Sequence, residues 1–238
     1  MCAKTGRLAA LSASLVRRLL PLLMVLGAAS AWAEASWEVV TSAPILIKSR
    51  PRQGTGIREV WAEGDMHASV ADLQFALLDY GRYVAFMPYM KETREVAPRD
   101  PDDTRYVYSR LQLPIVGGRD YVLKVAVNKL VRPDGSGTFM NSWTTLPTFV
   151  PVRPGIKRLQ TNEGSWTITP KGERLSHAVY RFAVDPGGWL PPFAADFGNK
   201  TATEDTWNSV EKEAQRHATQ PKTQARPAVP RPLESPRP

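Results

Sequence analysis

Segments that alternate apolar and polar residues, separated by short turn sequences, fill the centre of the chain. Such alternation is typical of half-buried strands. The strand patterns cover residues 45–47, 57–64, 92–96, 104–113, 120–131, 138–146, 164–169 and 175–184. Pro133-Asp134-Gly135 and Pro170-Lys171-Gly172 have the composition of turns that join neighbouring strands into hairpins. Strands joined in this way pair antiparallel, so the sequence predicts an antiparallel sheet.

One helical pattern lies early in the chain and one lies late. Ser69 or Asp65 can cap the first helix, whose apolar stripe consists of Val70, Leu73, Phe75, Leu77 and Leu78. The second pattern covers residues 191–216, where apolar residues recur at steps of three and four. Two helices packed on an antiparallel sheet predict an α+β domain. A large sheet curls around a helix laid over it, and the space between them can stay open as a ligand cavity.

Composition and charge exclude several classes of protein. The single cysteine excludes a disulfide scaffold and a cysteine-based zinc site, and with only three histidines we expect no metal and no cofactor. Charged residues and prolines interrupt every apolar run, which excludes a protein with several membrane spans. The net charge is +8, of which residues 1–33 contribute +4 and residues 217–238 contribute +3, leaving +1 for residues 34–216. Since nucleic-acid binding needs a positive surface, we expect no nucleic-acid partner.

Residues 1–33 have the order of features found in secretory signal peptides. Arg17-Arg18 precedes a short apolar run, and Ala31-Trp32-Ala33 follows that run as a small-residue site for a signal peptidase. We therefore predict cleavage after Ala33 and a periplasmic or secreted protein that has lost Cys2. The alternative is an N-terminal anchor that is never cleaved.

The last 22 positions, residues 217–238, contain six prolines and few large aliphatic residues. Such a segment buries too little apolar surface to offset its conformational entropy, so we predict a disordered tail. Its basic residues leave open a weak attraction to an anionic membrane surface.

Three short motifs resemble those of steroidogenic-acute-regulatory-related lipid-transfer (START) domains. Leu113-Pro114 followed by Arg119-Asp120-Tyr121 resembles the family's proline and Arg-Asp-aromatic signature. Gly164-Ser165-Trp166 resembles its penultimate strand, and the segment from Asp185 to Pro191 resembles its junction between the last strand and the last helix. The resemblance spans roughly residues 36–216, and we assign residues 34–216 to one START-like domain. It implies a helix-grip fold, with a curved antiparallel sheet wrapped around a long C-terminal helix and one lipid or sterol in an interior cavity.

Candidate ligand-binding residues follow from the strand patterns and from the resemblance. One face of the strand at residues 120–131 is apolar and suits an apolar ligand with one hydroxyl or carboxyl group. Some members of the family have a buried arginine six positions after the Arg-Asp arginine, but this chain has Val125 there. Arg110 and Arg181 are candidates for an anionic group, or else they face solvent. The full set of candidates is Tyr121, Leu123, Val125, Trp143, Arg110, Arg181, Trp189, Phe193 and Phe197.

Two of the motifs that carry the resemblance also have a purely structural interpretation. We expect Arg119 and Asp120 to form a structural ion pair at the end of a strand rather than to touch ligand. Gly187-Gly188 is either a hinge that lets the last helix move or simply a tight turn. Trp189, next in the chain, is placed by the resemblance near the cavity rim, which would allow a transient membrane contact.

Three functions fit these observations. The first is an exported, monomeric protein that binds or transfers one lipid or sterol without catalysis. The second is an enzyme similar to the aromatase/cyclases of the same helix-grip superfamily, with Arg110, His177 or Tyr121 as its acid or base. The third is an envelope module whose basic tail binds a partner. The sequence has no Ser-His-Asp order, paired carboxylates or cysteine nucleophile, which favours the first function over the second.

Overall fold

The computed structural model describes residues 35–114, 117–129, 131–132, 134–188 and 198–220. These residues build one ten-stranded sheet and its covering helices. The strands are β1 (Glu38–Thr41), β2 (Leu46–Pro51), β3 (Arg58–Met66), β4 (Met90–Glu95), β5 (Arg105–Leu113), β6 (Gly117–Lys129), β7 (Phe139–Thr145), β8 (Lys157–Arg158), β9 (Thr161–Gly172) and β10 (Leu175–Asp185). The helices are α1 (Val70–Leu78), the short α2 (Tyr83–Phe86) and α3 (Thr201–Ala218), with a 3-10 turn at Tyr80–Arg82.

The strands lie in the order β1-β2-β3-β10-β9-β7-β6-β5-β4, and every neighbouring pair along this path is antiparallel. The short β8 lies off this path and pairs parallel with β6. The predicted α+β class and the curved antiparallel sheet with a long C-terminal helix are confirmed. No helix within the described ranges is long and apolar enough to cross a membrane.

The strand register divides the sheet into an inner face, which packs against α1 and α3, and an outer face on the opposite side. Side chains alternate between the two faces along each strand. In β3, for example, Val60 and Ala62 belong to the core that contains Trp207 of α3. Glu59, the residue before Val60, points to the outer face and accepts a hydrogen bond from Arg50. This division decides which of the candidate residues can line an interior.

The main core lies between the inner face and the two long helices. Trp207 and Val210 of α3 are completely buried, as are Leu73 and Leu77 of α1. Ser69 begins α1, because its hydroxyl oxygen accepts the backbone N–H of Asp72. Most of the apolar stripe predicted for the first helix is therefore buried in this core, whereas Phe75 of that stripe stacks on His217 of α3.

Several bounds differ from the sequence patterns. The early helix stops at Leu78, because the chain then forms the 3-10 turn and α2 before Pro88. The sequence patterns missed β1 and β8, which are too short to show an alternation. The last helix is described from Thr201 onward, so its predicted first part, with Phe193 and Phe197, lies outside the described residues. The predicted signal peptide and residues 221–238 of the predicted tail also lie outside them and stay predictions. The tail was predicted to begin at residue 217, but His217 and Ala218 form the end of the last helix.

Candidate functional site

The inner face of β6 carries a row of apolar side chains. Tyr121 and Val125 are buried, and Leu123 lies between them on the same face. Val125 is the cross-strand partner of Trp143 in β7, and the two side chains contact each other. The structure thus brings together four of the predicted ligand-binding residues: Tyr121, Leu123, Val125 and Trp143.

An aromatic cluster extends this surface across β9 and β10. The ring of Tyr180 stacks on Trp166 with centroids 4.2 Å apart and planes 5° apart. Phe182 packs on Tyr180 at 4.7 Å, and Trp166 lies 5.7 Å from Trp207 of α3. Trp143 completes the cluster at 6.2 Å from Tyr180. Trp143, Tyr180 and Phe182 are only partly buried, so accessible aromatic surface remains on the inner face.

Three phenols of the inner region differ in their hydrogen bonding. The hydroxyl of Tyr83 donates to the carbonyl oxygen of Leu77 at 2.6 Å. Ser109, the cross-strand partner of Tyr121 in β5, lowers the pKa of the Tyr121 phenol, but burial outweighs this effect. Tyr180 makes no hydrogen bond to any residue that the structure describes. Burial raises the pKa of all three phenols, so each stays protonated and can act as a hydrogen-bond donor.

The two arginines considered for an anionic ligand lie on the outer face, which is the second of the two positions that the sequence leaves open for them. Arg110 is the cross-strand partner of Asp120, and its Nε lies 3.6 Å from a carboxylate oxygen of Glu92. Arg181 forms an ion pair with Glu59 and lies over the ring of Trp61 at 4.8 Å. The alternation of residues did not decide which face of the sheet these two arginines occupy. Their acidic partners on neighbouring strands, Glu92 and Glu59, lie on the outer face.

We predicted a structural ion pair between Arg119 and Asp120, but the partner of Asp120 is Arg158. Asp120 has no exposed surface, and its carboxylate accepts hydrogen bonds from Nε and Nη2 of Arg158 at 2.7 and 3.0 Å. The hydroxyl of Tyr108 donates to the same carboxylate at 3.2 Å. Arg158 also donates to the carbonyl oxygens of Pro147 and Val150. This network holds the loop between β7 and β8 against the outer face.

Arg119 is bound to the junction that follows β10. Its Nε donates to the carbonyl oxygen of Pro186 at 2.7 Å, and its Nη2 reaches that of Gly187 at 3.5 Å. Gly187 and Gly188 have φ angles of +68° and +85°, in the left-handed region that favours glycine. The described part of this junction is therefore a turn fastened by Arg119. Trp189, predicted to lie at the cavity rim, is outside the described residues.

The histidines considered for proton transfer lie away from the inner face. His177 is on the outer face of β10, with its ring nitrogens 3.1 Å from Asp65 and 3.3 Å from Glu63. His67 is exposed and contacts Glu211 of α3. No group of three histidine, cysteine or acidic side chains in the described ranges could hold a metal ion.

A groove of about 250 Å³ also lies on the outer face, but its charged groups are already paired. It is lined by Arg52, Glu59, Glu163 and Arg181, among others. Arg52 binds Glu163, and Arg181 binds Glu59. Because these ion pairs satisfy the charged groups of the groove, the inner face is the stronger candidate site.

Sequence reasoning missed four residues of the inner region. Tyr180 and Phe182 share one face of β10 with the buried Ala178, so the alternation used for β6 could have found them. Tyr80 and Tyr83 lie in an irregular helical segment, where neither a period of two nor a period of 3.6 is maintained. Tyr80 belongs to the buried cluster with Val107 and Val125.

Comparisons by sequence reach only part of the chain. No protein-family model matches it. A protein of Pseudomonas aeruginosa, described as uncharacterized, is 30% identical over 92 residues, which are 38% of this chain and 44% of that protein. The chain therefore matches less than half of the length of that relative.

Comparisons by structure cover much more. The STAR-related lipid transfer protein of Xanthomonas axonopodis (fragment 25-204) is 22% identical, with 75% of this chain and 98% of that chain covered and a TM-score of 0.63. Human StAR-related lipid transfer protein 5 is 16% identical, with 76% and 88% covered and a TM-score of 0.67. Zhui aromatase/cyclase from Streptomyces sp. R1128 is 13% identical, with 68% and 96% covered and a TM-score of 0.51. The chain has the START helix-grip fold, which confirms the resemblance at the level of the fold.

Proposed function

We propose that this START-fold protein is an exported lipid-binding protein that holds one apolar ligand between the inner face of its sheet and the C-terminal helix, without catalysis. One observation carries the proposal. The inner face gathers partly buried aromatic side chains, Trp143, Tyr180 and Phe182, beside the apolar row of β6. Apolar surface that remains accessible inside a fold is the usual lining of a small-molecule site. The likeness to lipid-transfer proteins supports the same reading.

The distribution of titratable groups favours binding over catalysis. Arg110 and His177, two of the three candidate acids or bases, lie on the outer face. Tyr121 lies on the inner face, but burial raises its pKa and makes it a poor base near neutral pH. The inner phenols are suited to donating hydrogen bonds to a bound ligand rather than to abstracting protons.

The alternative is an aromatase/cyclase-like reaction, which the likeness to Zhui supports. Co-purification separates the two functions. We expect native mass spectrometry of the purified protein to show one bound lipid or sterol, released unchanged when the protein is denatured. Conversion of an added polyketide-like substrate, with no lipid retained, would contradict the lipid-binding proposal and support the enzyme.

We also propose a transient membrane contact through Trp189. The motivation is its position directly after the turn at Gly187-Gly188, since a tryptophan ring is favoured at a membrane interface. Trp189→Ala should slow transfer of a fluorescent sterol between vesicles and leave equilibrium affinity within about tenfold. An unchanged transfer rate would contradict this contact and leave the binding proposal standing.

A further inference from the structure

The hydroxyl of Tyr180 is an unused hydrogen-bonding group on a rigidly held ring. The ring is fixed by its stack on Trp166 and by its contact with Phe182. Its hydroxyl has no hydrogen-bond partner among the described residues, in contrast to that of Tyr83. With no partner among the described residues, this hydroxyl is left to hydrogen-bond water or a bound ligand.

Two other unpaired polar atoms in this region are closed off. The phenolic oxygen of Tyr80 and Nε of Arg105 have no hydrogen-bond partner in the described part of the chain, but both atoms are fully enclosed. A ligand cannot reach them without rearrangement of the core. Tyr180 is only partly buried, and its hydroxyl is not among the enclosed atoms. It is therefore accessible to a molecule on the inner face.

The charged side chains near this surface are already neutralised or point elsewhere. Arg105 is buried on the inner side of β5, where it binds Asp103 and the carbonyl oxygen of Leu78. Arg110 and Arg181 are held by acids on the outer face. Arg119, on the same face of β6 as Tyr121, donates to the carbonyl oxygens of Pro186 and Gly187. A charged ligand beside Tyr180 would have to displace one of these contacts or stay unpaired, which is strongly unfavourable.

We propose that Tyr180 is the polar anchor of the site, donating a hydrogen bond to an oxygen of the ligand. The ligand is then an uncharged apolar molecule with a hydroxyl or carbonyl group, rather than a fatty-acid anion or a lipid with a charged headgroup. This inference rests on the proposed lipid-binding function and narrows it. Burial raises the pKa of the Tyr180 phenol, which keeps the donating proton in place at all physiological pH values.

The test compares ligands with one alkyl chain and different head groups. Binding of dodecanol, dodecanoate and dodecyltrimethylammonium to the full-length protein, freed of co-purified lipid, is measured by calorimetry and by native mass spectrometry. We expect dodecanol to bind more tightly than either charged ligand. Tyr180→Phe, which removes only the hydroxyl, should weaken dodecanol about 3- to 10-fold, in line with the loss of one hydrogen bond.

The matched control is Tyr106→Phe, which removes a phenolic hydroxyl on the outer face, where it donates to Asp100. It should leave the affinity for dodecanol unchanged. Near-ultraviolet circular dichroism of both variants checks that the aromatic packing is intact.

The outcomes separate the inference from the function on which it rests. Wild-type protein that prefers dodecanoate or the ammonium ligand would overturn the neutral-ligand inference while confirming binding. The anchoring role would be overturned if the Tyr180→Phe protein bound dodecanol as tightly as the wild type does. It would also be overturned if the substitution weakened the binding of all three ligands equally. Wild-type protein that binds none of them and carries no lipid when purified would overturn both.

Discussion

The carboxylate of Asp120 and the guanidinium of Arg158 form a bidentate ion pair that is almost completely shielded from solvent, with side-chain exposures of 0% and 3%. Asp120 lies in β6, and Arg158 lies in the two-residue strand β8 at the end of a loop. The pair therefore connects an interior strand of the sheet to a segment with little regular structure of its own.

Removing one member of this pair should be costly. We expect Arg158→Met to lower the free energy of unfolding by about 3–5 kcal/mol, because it leaves the buried Asp120 without its counter-charge. Urea denaturation measures the change. The control is Lys171→Gln, which breaks an exposed pair with Asp65 and should leave the free energy of unfolding nearly unchanged. Equal effects of the two substitutions would contradict the structural role of the buried pair.

A charge on the inner face of β6 should abolish ligand binding. Val125→Arg places an unpaired cation among Val107, Tyr80 and Trp143, at a cost of several kcal/mol by order of magnitude. Retention of co-purifying lipid, measured by mass spectrometry, tests this, and circular dichroism reports on folding.

The neighbouring position supplies a control for the same substitution. Ala126 is exposed on the outer face, so Ala126→Arg should leave binding and folding unchanged. A folded Val125→Arg protein that keeps its lipid would place the site elsewhere.

Protonation of Glu213 in α3 should contribute to the loss of folding stability in acid. Burial opposes ionisation of this carboxyl, but hydrogen bonds from Arg216 and Arg82 outweigh burial and lower its pKa below the ordinary 4.5. The ionised form is thus favoured in the folded state, and its contribution is present above pH 4.5 and lost as the pH falls through the lowered pKa.

We accordingly expect Glu213→Gln to be less stable than the wild type at neutral pH and to lose less stability between neutral pH and about pH 3. Urea denaturation across this range gives both quantities. Glu204→Gln, which removes an exposed pair with Lys200, is the control. A Glu213→Gln protein with the wild-type pH dependence would show that other carboxyl groups dominate acid unfolding.

Export predicts a defined N-terminus. If residues 1–33 are a signal peptide, the mature protein should begin at Glu34, and N-terminal sequencing of the protein from the periplasm or medium should show this. A mature protein that still begins at Met1 would contradict cleavage. Ala33→Leu should slow processing, because the peptidase site needs a small residue there.

The inner face of β6 was predictable because it depends on a local property. Tyr121, Leu123 and Val125 occupy alternate positions in a strand, so their shared face follows from the period of two. Which face of a strand meets the helices is not local, and for this reason the sequence leaves Arg110 and Arg181 open between the interior and solvent. Only the pairing with Glu92 and Glu59 on adjacent strands reveals that they lie outside.

The partner of Asp120 could not be found from the pattern of residues. Arg158 lies 38 positions away, in a strand too short to show any alternation. Tyr180 is a different case, since it lies in a well-predicted strand. Its special feature is an unpaired hydroxyl, which depends on what surrounds the ring in three dimensions.

The pairing of β3 with β10 has a consequence for how the chain reaches its native state. Val60 of β3 lies opposite Phe182 of β10, which is the last strand in the chain. The backbone hydrogen-bonding groups on this edge of β3 therefore have no partner strand until almost all of the sheet has formed. Contacts between such distant positions form slowly, because a long loop must close first. A chain ending before β10 would present β3 as a bare edge on which other chains could assemble, so truncation there should yield aggregates rather than a smaller folded domain.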